Sequence, residues 1–174
     1  MNIQKCARLS MLTAVAIVLN IFESFIPFFN IPGIKIGLAN IIILSVLYVY
    51  GVKEAIYVSL LKILVVGILR TGLFSTTFLF SLSGAVLSLI TMFLAKKINI
   101  FSIIGVSIIG SISHSIGQLI MAYIILKNNS VYLYLPMLLI ISIITGILVG
   151  IISKEIVKYL KNNWVKNQIM IFLY

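Results

Sequence analysis

The chain has 174 residues, of which 62% are hydrophobic and 9% charged; aspartate is absent and the formal net charge is +10. A soluble domain carries about 25% charged residues, and the apolar runs here are continuous rather than alternating. The composition therefore excludes a soluble globular domain and points to an all-α integral membrane protein, one domain over residues 1–174. The cations collect in short segments between apolar runs, and no basic helix face is interleaved with stacking aromatics, so the charge does not read as a nucleic-acid surface.

The first helix is expected over about 7–25, starting beside Lys5 and Arg8 and ending at Pro27. Ser10 and Ala14 make a small-xxx-small pair that permits close helix approach. Asn20 and Glu23 lie near its far end. The Ala14-Val15-Ala16 pattern falls inside the apolar run and no cleavage pattern follows it, so the segment reads as a retained helix rather than a cleaved signal. Cys6 is the single cysteine and has no CxxC or histidine partner nearby for a metal. Pro27, Asn30, Pro32 and Gly33 mark a turn.

The second helix is expected over about 34–50, with Lys35 at its start, Asn40 inside it, and Tyr48 and Tyr50 suited to an interfacial belt. Gly51-Val52-Lys53-Glu54 reads as a polar break. The third helix, about 55–69, carries Lys62 near its middle and is closed by Arg70-Thr71-Gly72. A lysine at mid-membrane must face the bundle interior or snorkel. The fourth, about 74–95, begins with an irregular polar stretch, Ser75-Thr76-Thr77, continues a small stripe at Gly84 and Ser88, and stops at Lys96-Lys97.

The fifth helix, about 102–126, holds Ser111 to Leu119 and the only histidine. His114 and Gln118 are four apart and share a face, with Ser111 one turn behind. Hydrocarbon satisfies neither side chain, so that face looks into protein or a watery recess. The sixth helix is expected over about 133–153, where Ser142, Gly146 and Gly150 repeat every four residues as a packing stripe. Residues 154–174 read as a basic cytoplasmic tail, with Trp164 and the apolar end, 169–174, in the interface.

Six spans put both termini on one side of the membrane. With the N-terminus inside, the inner cations are Lys5, Arg8, Lys53, Lys96, Lys97, Lys154, Lys158, Lys161 and Lys166, against Lys35, Arg70 and Lys127 outside. That balance predicts cytoplasmic termini. Glu23, Lys35, Asn40, Arg70 and Gln118 then fall toward the outer half, with His114 and Lys62 nearer the middle, which predicts a polar funnel opening outward.

Each of these residues has two readings. His114 and Gln118 either contact a ligand or tie helices together. Lys62 either contacts an anion or pairs with Glu23 across the first and third helices. Arg70 either holds a carboxylate or phosphate with its fork or marks the outer membrane face, and Lys35 divides the same way. No nucleophile–base pair, carboxylate pair, metal cluster or phosphate-binding loop is evident, so no catalytic residue, metal or cofactor is expected.

Lys35-Ile36-Gly37-Leu38-Ala39-Asn40, Lys62, Phe78-Leu79-Phe80-Ser81-Leu82-Ser83-Gly84 and His114-Ser115-Ile116-Gly117-Gln118 occur in that order. Over about 9–151 this set resembles the bacterial Gx transporter family, also called heptaprenyl diphosphate synthase component I. That family is similar to the substrate-binding S-components of energy-coupling-factor transporters. The resemblance implies a six-transmembrane-helix bundle in the bacterial cell membrane, with an outward-facing pocket for a small solute. It also implies a transmembrane coupling subunit and ATPases as partners, with Ser10 and Ala14 on the docking face of the first helix. Together with the cationic residues it gives a substrate-binding set of His114, Gln118, Asn40, Arg70, Lys62, Glu23 and Lys35 for an anionic or aromatic organic solute. The enzyme name implies, as the alternative, an accessory subunit of heptaprenyl diphosphate or menaquinone synthesis, or of a quinone-linked electron-transfer complex.

Overall fold

The computed structural model describes residues 3–23, 25 and 37–173, with side chains through residue 162. The expected turn at Pro27 to Gly33, Lys35, and the interfacial placement of Trp164 and the last apolar side chains lie outside the described residues. The described residues form six α-helices: α1 (Ile3–Glu23), α2 (Leu38–Val49), α3 (Val52–Val66), α4 (Thr76–Ile98), α5 (Ile103–Leu126) and α6 (Leu135–Leu173). A π-helical turn, Gly67–Thr71, extends α3, and a 3₁₀ turn, Asn129–Tyr134, leads into α6. Four helices are long and apolar enough to cross a membrane: α1, α4, α5 and α6. The protein is a multi-pass membrane protein.

α2 is the post around which the others stand. Residues 41–47 are buried without a break, as an all-round apolar helix requires when it sits inside a bundle. It packs against α1, α3 and α6, and its residues join Ala16, Ala55, Val58, Met92 and Val106 in one apolar core. α3 shows the complementary pattern. Its buried residues Ala55, Val58, Ser59, Lys62, Ile63 and Val66 follow the helical repeat, while Tyr57, Leu60, Leu61 and Leu64 face outward. Outward apolar faces of this kind suit lipid, and the inter-helix contacts then rest on close packing and polar links.

Those links are glycine crossings. A Cβ on Gly117 would lie 2.7 Å from Ser83 O, and one on Gly146 or Gly150 would lie 2.8 Å from the Cα of Ile108 or Ile104. Backbone meets backbone at these points, so α5 is clamped between α4 and α6. Ser83 Oγ adds a 2.7 Å hydrogen bond to Gly117 O.

Several boundaries differ from expectation. The polar break after α2 is confined to Gly51, whose φ of 110° suits only glycine; Val52, Lys53 and Glu54 are already the first turn of α3. Glu54 sits favourably at that helix N-terminus and is paired with Lys5 of α1. The stretch before α4 is an ordinary N-cap, with Ser75 Oγ accepting from Phe78 N at 3.2 Å, and α4 runs past Lys96-Lys97 to Ile98. α6 does not stop at Ser153. Ser153 and Val157 are 0% and 3% exposed, and Ser153 Oγ donates to Ile41 O of α2 at 3.3 Å. An inward face therefore continues among the lysines, and the segment expected as a tail is helix to Leu173.

Candidate functional site

α2 begins at Leu38, beside the last residue of α1. Gly37 takes a left-handed conformation, φ 82°, to start the helix, and Asn40 N closes the first turn onto Gly37 O at 2.8 Å. Gly37 N–H donates to Glu23 Oε1, so the last residue of α1 caps α2 with a buried carboxylate. This placement gives Glu23 a structural role at the positive end of the helix.

Above that end lies a cavity of about 60 Å³, to which every helix contributes. Asn20 and Glu23 come from α1, Ala39 and Asn40 from α2, Lys62 from α3 and Thr71 from the π-turn. Ser81 and Phe78 come from α4. α5 supplies Ser111, His114, Ser115 and Gln118, a single helical face by spacing, and α6 adds Ser142 and Thr145. Lys62 is 5% exposed and Gln118 8%. The apolar part of the wall includes Ile63, Val66, Leu138 and Ile141.

The wall is held by the glycine crossings already described. His114 and Gln118 lie against Gly84, where an added Cβ would come within 2.9 Å of His114 Cε1 and 3.0 Å of Gln118 Cγ. Ser115 and Ser142 share a 2.6 Å hydrogen bond across α5 and α6, while Ser142 Oγ also bonds Leu138 O at 2.6 Å. His114, Gln118, Asn40, Lys62 and Glu23 thus line one hollow. Arg70 is not on its wall: it is exposed at the end of the π-turn, with its guanidinium 5.2 Å from the centroid of the Phe25 ring. Lys35 lies outside the described residues. Ser10 and Ala14 are exposed on α1.

The family model for heptaprenyl diphosphate synthase component I matches residues 12–156, which hold all of this wall. The chain belongs to that family. No curated protein and no solved structure gives a match.

Within this family member, Asn20, Ser142 and Thr145 line the wall without having been singled out from the sequence as site residues. Asn20 stands three residues before Glu23 and so shares its face. Ser142 reads from the sequence as part of a packing stripe, since small residues on a span most often serve that purpose, yet it and Thr145 both border the cavity. The spacing that would have found them is the i, i+3 repeat of hydroxyls facing the α5 motif.

Proposed function

We propose that this chain is a membrane-embedded solute-binding subunit of an uptake transporter, of the energy-coupling-factor S-component type. The observation that carries the reading is the cavity itself. A membrane protein has gathered a lysine, a glutamate, a histidine, three amides and several hydroxyls around one hollow, where hydrocarbon would leave each of them unsatisfied. Such intramembrane polar clusters mark solute paths or binding sites. The solute is small, since a hollow of about 60 Å³ seats only a few water centres. With Arg70 off the wall, an anionic group on the solute would be met by Lys62, and His114, Gln118 and Asn40 would supply directional hydrogen bonds.

The cavity lies at the Gly37 end of α2, and Lys96 binds Leu47 O at the other end, near Lys161. The positive-inside rule makes the lysine-rich end cytoplasmic and the cavity end external, with both termini inside. Ser10 and Ala14, exposed on α1, offer a small-residue face for a transmembrane coupling subunit, through which ATPases would supply the energy. The bacterial cell membrane is the location this reading requires.

The family name supports a second reading, an accessory membrane subunit of heptaprenyl diphosphate synthesis or of a quinone-linked complex. A heptaprenyl chain is far larger than the cavity, so that role would rest on protein contacts rather than on holding the product here. Mild-detergent purification from the native membrane separates the two. A coupling subunit with ATPases is the expected companion; a soluble prenyl synthase in their place would overturn the transporter reading.

A further inference from the structure

A second, smaller hollow of about 10 Å³ lies beside the first, and Asn40 and Ser111 line both. Ser88 of α4 and Ser107 of α5 complete its polar wall, with Met92 and Val149 on the apolar side. Ser107 is 2% exposed, and its Oγ has no hydrogen-bond partner among the described residues. A buried helical hydroxyl has a ready partner in the carbonyl four residues back. Thr13, Ser45 and Ser142 take theirs, at 2.7 Å to Leu9 O, 2.7 Å to Ile41 O and 2.6 Å to Leu138 O. Ser107 forgoes that bond while bordering a hollow ringed by other polar side chains.

We infer that this hollow holds one buried water, bonded to Ser107 Oγ and shared with Ser88, Ser111 and Asn40. The volume matches the roughly 10–15 Å³ that a single water centre needs, and the wall offers the two to four polar partners that keep such a water in place. A bare sodium ion would meet only neutral oxygens there, because no carboxylate lines the hollow. The water also steadies the Asn40 amide, which stands between the two chambers and forms part of the larger wall. The inference does not depend on what the larger cavity binds.

The test uses the full chain in lipid nanodiscs. A high-resolution map of the wild type should show one solvent peak bounded by Ser107 and Asn40, and Ser107→Ala should lower the Tm because the water loses a partner. An empty hollow predicts the opposite sign, since deleting an unmatched buried hydroxyl removes a desolvation cost and raises the Tm. That rise, or a wild-type map with Ser107 turned onto Ile103 O and no solvent peak, would overturn the inference. Should Ser107→Ala fail to fold, the wild-type map decides alone, by the presence or absence of the solvent peak beside Ser107. A wild-type Tm that rises with sodium, and not with choline at equal ionic strength, would also overturn it in favour of an ion.

Discussion

Replacing Gly117 by alanine tests whether the α4–α5 crossing sets the shape of the cavity wall. The added Cβ would sit 2.7 Å from Ser83 O and 3.0 Å from Gly84 Cα, both backbone atoms with no rotamer to swing away. Ordinary contact begins near 3.4 Å, so the two helices must part by about 0.7 Å in an interior that is close-packed. Overpacking of this kind costs about 1–3 kcal/mol. Loss of the Ser83–Gly117 hydrogen bond adds about 0.5–1.5 kcal/mol, and the better helix propensity of alanine returns about 1 kcal/mol. The net expectation is a loss of about 0.5–3.5 kcal/mol. Gly105 on the same helix is the control: its nearest neighbour would be Phe101 Cβ at 3.4 Å, an ordinary contact. Gly105→Ala should be neutral or gain up to about 1 kcal/mol from propensity. Equilibrium unfolding in mixed micelles measures both. Gly117→Ala as stable as the wild type, or Gly105→Ala worse than Gly117→Ala, would refute the packing argument.

Val157→Asp should cost about 3–5 kcal/mol, the penalty of an unpaired charge in a site 3% exposed, whereas Tyr159→Asp, 68% exposed, should be tolerated; urea unfolding of the pair tests whether α6 truly packs beyond Ser153. Lys96→Met should lose about 1.5–3 kcal/mol, because Nζ bonds Leu47 O at 2.6 Å near the C-terminus of α2 and stands 4.9 Å from the Tyr48 ring centroid, while exposed Lys97→Met should be silent in the same assay. A double-mutant cycle on Lys5 and Glu54 should give only about 0.2–1 kcal/mol, as the pair is partly exposed. The Lys5 hydrogen bond holds the Glu54 carboxyl below its ordinary value. Its contribution is therefore full above the ordinary carboxylate pKa and fades as the pH falls through the depressed one, so the measured coupling should shrink on acidification from neutral pH.

The apolar runs made the helices legible, because a span long enough to cross a bilayer leaves an unmistakable stretch of hydropathy. α5 was the plainest: its serine N-cap, its length and its polar face at Ser111, His114 and Gln118 are all written locally. The gathering of His114, Gln118, Asn40, Lys62 and Glu23 around one hollow followed from solvation, since no other surroundings suit them in a membrane. Arg70 was harder. A cation at the end of a span satisfies the interface and a binding site equally well by sequence, and its place beside the Phe25 ring at the end of the π-turn is not written locally. The extent of α6 was hidden for a related reason. Four lysines after Ser153 look like the end of a span, but Val149, Ser153 and Val157 keep a four-residue repeat on the side that meets α2. Charge on one helical face says nothing about the face opposite. The capping of α2 by Glu23 was not legible at all, because it joins residues across a connection that hydropathy does not describe.

Native mass spectrometry of the protein released from its own membrane tests the solute-binding claim most directly. The wild type should carry a retained small molecule, and a folded His114→Ala/Gln118→Ala variant should have lost it. A wild type that flies empty under conditions that keep bound lipid, or a variant that retains the same molecule at the same occupancy, would contradict the account.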